Sequence, residues 1–171
     1  MILKNIEIKA KINDYKNVKR LVEDLCSNPV ETEQQKDTFF NTPKGRLKLR
    51  ESDETSAIMY YFRPDSHGPK QSDIALSFTD NSDTLKTVLD KSIGIRGIVI
   101  KKRILYKHGQ TRIHLDDVKG LGKFIELEVV LNPGQTSNDG EIIAYKLMDK
   151  FDIQKTDLID VAYIDLIQLN S

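Results

Sequence analysis

Lys9, Lys48, Arg50, Lys101, Arg103 and Arg112 could grip a polyanion, and Glu7, Asp116, Glu126 and Glu128 could hold a hard cation beside it. Their spacing matters as much as their types. Glu7 and Lys9 alternate with Ile6, Ile8 and Ala10, and Lys48 and Arg50 with Leu47 and Leu49. Arg112, His114 and Asp116 alternate with Ile113 and Leu115, and Glu126 and Glu128 with Ile125, Leu127 and Val129. Lys101 and Arg103 share one phase as well. Successive side chains of a strand point to opposite faces, so each stretch predicts a strand with one ionic and one apolar face. The solvated face of an ordinary antiparallel sheet would also carry charge. Here, however, Ser, Thr and Gln are almost missing from these faces, and some strands are wholly basic while another is acidic. A cavity for a phosphorylated ligand and its metal needs that segregation.

The elements that must position these groups can be read along the chain. Residues 3–12 predict the first strand, and Asp14 caps a helix through Tyr15, Val18, Leu21, Val22 and Leu25 that stops at Asn28-Pro29. Strands follow over 34–41, 46–51 and 57–63, with turns at Thr42-Pro43-Lys44-Gly45 and at Ser52–Ser56. Residues 64–73 predict a loop, 74–78 a short strand, and Asn81 or Ser82 the cap of a helix ending at Gly94. Strands over 98–107, 110–116 and 123–131 lead to helices over about 138–151 and 157–168. Many antiparallel strands with interspersed helices define an α+β chain whose sheet is long enough to close into a barrel.

The 171 residues fit one domain, 1–171, able to bury a core. A formal net charge of zero excludes a global field that would recruit nucleic acid or membrane, so neither is expected as a partner. The single Cys26 excludes an internal disulfide and any cysteine-based zinc site. With no signal peptide and no apolar run of spanning length, a cytoplasmic location is the expectation.

Ile6-Glu7-Ile8-Lys9 resembles the end of the ExExK signature of the CYTH superfamily, the triphosphate tunnel metalloenzymes. Gln35-Lys36-Asp37-Thr38-Phe39-Phe40, Gly45–Glu51, Tyr61–Asp65, Lys101-Lys102-Arg103, Arg112–Asp116 and Gly122–Glu128 resemble further segments of that family in the same order. The spacing is most similar to the class IV adenylyl cyclase-like branch, which is related to thiamine triphosphatase. The resemblance implies an eight-stranded antiparallel β-barrel, a charged tunnel, helices packed on the outside, and Mg²⁺ or Mn²⁺ as cofactor. It implies that Lys9, Lys48, Arg50, Arg63, Lys101, Arg103 and Arg112 bind triphosphate. It also implies that Glu7, Asp116, Glu126 and Glu128 hold metal, and that Glu7, Lys9, Glu126 and Glu128 act in catalysis.

By this resemblance the expected activity is on a small-molecule triphosphate: a nucleoside triphosphate, thiamine triphosphate or tripolyphosphate. Hydrolysis ranks slightly ahead of cyclisation of ATP to cyclic AMP and pyrophosphate, because no adenine-reading residues can be named. A binding module without turnover is the third reading, and a homodimer is left open. Asn5 stands where the signature has its first Glu, which predicts weaker metal binding, since an amide adds no negative charge. Tyr163 faces either the ligand or the core. His114, in the ionic phase beside Asp116, is a proton-shuttle candidate or a polar partner of the cluster. Lys70 is either a lid residue or a surface lysine.

Overall fold

The computed structural model describes residues 2–62 and 68–171, the side chains of Ile2 and Leu3 apart. Eight strands are formed among them: β1 (Ile2–Lys11), β2 (Glu31–Phe40), β3 (Arg46–Ser52), β4 (Ser56–Phe62), β5 (Lys70–Phe78), β6 (Ile95–His108), β7 (Thr111–Val118) and β8 (Gly122–Val130). Every pairing is antiparallel, and the order β1-β5-β4-β3-β2-β6-β7-β8 closes on itself. Closure leaves no sheet edge and gives each strand an inner and an outer face. The helices are α1 (Tyr15–Cys26), α2 (Ser82–Ile93), α3 (Ser137–Lys150) and α4 (Tyr163–Leu169), with a 3-10 turn at Lys155–Asp157. No helix among the described residues is long and apolar enough to cross a membrane.

Local chemistry sets these boundaries. The Asp14 carboxylate accepts from the Asn17 backbone N–H and starts α1. Thr136 and Asp139 form a reciprocal capping box at the start of α3. Gly45, at φ 65°, turns β2 into β3 where a Cβ would lie 2.6 Å from the Tyr60 hydroxyl.

The period-two pattern is resolved by burial. Ile6, Ile8 and Ala10 of β1, Ile113 and Leu115 of β7, and Ile125, Leu127 and Val129 of β8 point outward. They form one core with Val18 and Val22 of α1 and with Ala144, Leu147 and Met148 of α3. The charged phase is therefore forced inward. A second cluster fills one end of the barrel: Phe39, Val99, Val118 and Phe124 meet Ala162, Tyr163 and Ile164 at the start of α4. There α4 straddles β2, because Asp165 accepts from Arg46 of β3 and Arg96 of β6. Gly97 gives it room, since a Cβ there would lie 2.5 Å from Ile164 Cδ1.

Several boundaries differ from the sequence reading. β2 begins at Glu31 rather than residue 34, β6 begins at Ile95 rather than residue 98, and β5 begins at Lys70, inside the expected loop 64–73. The expected helix over 157–168 is instead a 3-10 turn, an extended stretch and the short α4. Competition for backbone partners explains the last case. β5 meets β1 only as far as Glu7↔Lys70, and beyond it Leu158 bridges Ala10 while the Ile159 N–H donates to the Lys9 carbonyl at 2.8 Å.

Candidate active site

Inside the barrel lies a cavity of about 300 Å³ lined by Glu7, Lys9, Lys48, Arg50, Lys101, Arg103, Arg112, Glu126 and Glu128. The strands thus bring together residues scattered over most of the chain. His114 and Tyr163 line the cavity too. Arg63 lies outside the described residues, as does the rest of its segment to His67. Asp116 sits behind the cavity wall, fully buried.

Two ion clusters repeat one arrangement. On β2 and β3, Asp37 lies opposite Arg50. It accepts from Arg50 Nε and Nη2 at 2.7 Å each and from Lys48 Nζ at 2.7 Å. On β6 and β7, Asp116 lies opposite Arg103. It accepts from Arg103 Nε and Nη2 at 2.6 Å each and from Lys101 Nζ at 3.2 Å. A Lys-x-Arg strand beside an Asp-bearing strand gives a forked, charge-assisted pair plus a point charge. In the second cluster the Tyr163 hydroxyl also donates to Asp116, at 2.8 Å, and Arg103 reaches Glu126 at 2.6 Å.

The remaining groups continue around the wall. Lys9 Nζ lies 3.2 Å from Glu126 and 4.0 Å from the centre of the Tyr163 ring. Glu128 meets Arg112 Nε at 3.3 Å and His114 Nε2 at 3.2 Å, and it accepts from the Asn5 amide. Glu7 stands directly opposite Glu128 in the ladder, two like charges that favour a cation between them. Asn5 Oδ1 is buried without a hydrogen-bond partner. Asn5 therefore keeps the position expected of the signature residue, but its amide hydrogen is spent on Glu128.

Charge states follow from these contacts. Burial raises the pKa of Asp37, yet Arg50 and Lys48 outweigh it and hold the carboxyl well below its usual range. Burial acts likewise on Glu126, where Lys9 and Arg103 outweigh it. Burial together with Arg103 lowers Lys101 to about 7, and burial together with Arg50 lowers Lys48 to about 8. Burial and Arg103 also lower His114, leaving it neutral near pH 7.

Several groups do not sit as sequence reasoning drew them. Lys70 is a buried strand residue, and its Nζ donates to the Asp160 carbonyl at 2.7 Å rather than serving as a mobile lid. Tyr163 joins the two roles offered for it, since it is both packed in the end cluster and exposed to the cavity. Asp37 was missed as a site residue, although it shares the inward phase of Gln35 and Phe39. An apolar wall of Met59, Tyr61, Ile74 and Leu76 was missed as well.

Among the described residues, no three His, Cys, Asp or Glu side chains cluster closely enough to hold a metal ion by themselves. What the lumen offers is a partial shell of hard oxygens: Glu126, Glu128 and Glu7, with the unpartnered Asn5 Oδ1 nearby. Such a set fits Mg²⁺ or Mn²⁺, which complete their shells with water and phosphate oxygens.

A closed antiparallel barrel with an ionic lumen and one end filled by a C-terminal helix defines the class of protein. The chain belongs to the CYTH domain family, whose pattern matches residues 3–163. A relative from Methanocaldococcus jannaschii, named "Putative adenylate cyclase", is 24% identical over 180 residues, covering 94% of this chain and 97% of its own. A solved structure from Pyrococcus horikoshii OT3 superposes with a TM-score of 0.86 at 22% identity, covering 95% of this chain and 98% of that one. Another, described as a putative adenylate cyclase from Vibrio parahaemolyticus, gives 0.81 at 18% identity, with 97% and 98% covered. These likenesses in structure are likenesses of fold.

Proposed function

We propose that the protein is a divalent-metal-dependent enzyme acting on a small-molecule triphosphate, with hydrolysis ranked before cyclisation. The observation that carries the reading is the convergence of Lys9, Lys48, Arg50, Lys101, Arg103 and Arg112 with Glu126 and Glu128 in one closed lumen. Phosphoryl transfer asks little covalent chemistry of a protein and a great deal of fixed positive charge around the phosphate oxygens. Lys48 and Arg50 are held in place by Asp37, and Lys101 and Arg103 by Asp116, before any ligand arrives, so little reorganisation is left for the reaction.

Each of these bases already faces a carboxylate. A polyanion entering alone would therefore meet Glu126 and Glu128 beside the bases it needs. A divalent ion on Glu126 and Glu128, with Glu7 across the ladder, would neutralise them and polarise the phosphate. Asp116 has another task in this reading. Its oxygens are taken by Arg103, Lys101 and Tyr163, so it aligns bases and does not reach the metal. Hydrolysis ranks first because it needs only water as nucleophile, whereas cyclisation also needs a ribose hydroxyl aimed at the α-phosphate.

The test is incubation of the full chain with ATP, tripolyphosphate and thiamine triphosphate in Mg²⁺ or Mn²⁺. Orthophosphate release, abolished by EDTA and by Glu126→Gln, is the expected result. Cyclic AMP with pyrophosphate would replace hydrolysis by cyclisation, and no product from any of the three would leave a binding module.

A further inference from the structure

The lumen has two chemically different sides. Its basic groups come from β1, β3, β6 and β7, and its acids from β1, β2 and β8. β4 and β5 instead give it Met59, Tyr61, Ile74 and Leu76. In the ladder Met59 stands beside Leu76 and Tyr61 beside Ile74, so the four form one continuous patch. All four remain partly exposed. The same phase continues to the pair Ala57 and Phe78, where Phe78 is 70% exposed. The charge that β5 does contribute, Lys70, is turned onto Asp160. In the closed strand order β4 lies four strands from β7, and β5 four from β6. The apolar patch therefore faces the wall that carries Lys101, Arg103, Arg112 and His114.

A wholly ionic ligand has no use for such a patch. Phosphate oxygens against Met, Ile and Leu would lose water and gain no partner. An inorganic chain would also leave the patch facing solvent. A ligand with a charged tail and a flat apolar body satisfies both sides at once, as ligand pockets generally do by joining apolar walls to a few fixed polar groups. We propose that this wall receives the organic part of a triphosphate ester, a flat heterocyclic group, so that the substrate is an organic triphosphate rather than inorganic polyphosphate. The inference rests on the triphosphate reading above and narrows it. Tyr61 supplies a ring for stacking, and Met59 supplies an adaptable thioether surface.

Equilibrium binding to the full chain, measured by calorimetry in Ca²⁺ so that Glu126 and Glu128 are neutralised while the Mg²⁺ or Mn²⁺ of the reaction is absent, separates the two ideas. The probes are tripolyphosphate, ATP and thiamine triphosphate. At least one of the two organic probes is expected to bind about tenfold more tightly than tripolyphosphate, the effect of burying a modest apolar area. Met59→Gln and Leu76→Ala should each erase much of that preference, by about fivefold, while the tripolyphosphate dissociation constant stays put. Unchanged tripolyphosphate binding also reports that the variants are folded. Tripolyphosphate binding as tightly as both organic probes, or variants that weaken all three alike, would overturn the inference and leave the triphosphate reading standing. Failure of all three to bind the native chain would remove the triphosphate reading and the inference with it.

Discussion

Asp37 with Lys48 and Arg50, and Asp116 with Lys101 and Arg103, are the same module built twice, yet they live in different surroundings. The side chains of Lys48 and Arg50 keep 12% and 16% of their exposure, and those of Lys101 and Arg103 keep 3% and 9%. The second module is covered by Tyr163, and its arginine serves a second acid, Glu126. The difference teaches that a motif fixes who pairs with whom, while whatever packs over it fixes how strongly those charges are felt. Water screens the first module and largely leaves the second.

The harshest way to test that contrast is to remove each aspartate. Asp116→Ala leaves buried Lys101 without its carboxylate and Arg103 with Glu126 alone, and should cost about 3–5 kcal/mol of folding stability. Asp37→Ala should cost less, about 1–3 kcal/mol, because water reaches its lysine and arginine. Denaturant titration of both variants reads the difference, and equal losses would dissolve the comparison. The pKa values of both aspartates are depressed. The stability they give is therefore present above about pH 4 and lost as pH falls toward their folded values.

A milder probe uses the lysines. Both are bases with lowered pKa, about 7 for Lys101 and about 8 for Lys48, so each loses charge as pH rises through its value. Triphosphate affinity should fall between pH 6 and pH 9, by about tenfold for each unit of pH in which one lysine must be recharged. Binding near pH 8 should take up protons, visible as a dependence of the calorimetric heat on the buffer. Lys101→Arg should flatten the lower part of the profile, since a guanidinium stays charged. The smallest expected effect belongs to Tyr163→Phe. It keeps the ring over Lys9 and removes only the bond to Asp116, so it should cost about 1 kcal/mol and shift the lower step of that profile.

How far the sequence reached follows the same physics. The inward and outward phases of β1, β3, β7 and β8 were legible because charged and apolar residues alternate over 6–11, 46–50, 112–116 and 125–129. The start of β5 was not legible, because Lys70 and Ser72 face inward beside Gln71 and Asp73, and a strand polar on both faces has no period to read. Asp37 was hidden by its neighbours: the aromatic pair Phe39-Phe40 identifies the strand but says nothing of which face looks into the lumen. The end of the chain was misread because residues 157–162 carry a helical pattern that pairing with β1 overrides. The apolar wall was the least legible feature. An apolar residue is expected under a helix, and only closure of the barrel reveals that Met59 and Leu76 face a cavity.

Filling of the barrel end by Phe39, Phe124, Tyr163 and Ile164 has a consequence for traffic. The chamber is a cul-de-sac. Whatever enters must back out by the same door, and product occupies the path of the next substrate until it leaves. A polymer cannot be threaded through and processed along its length. It can offer only a free end, so a long anionic chain would be nibbled rather than cut in its middle.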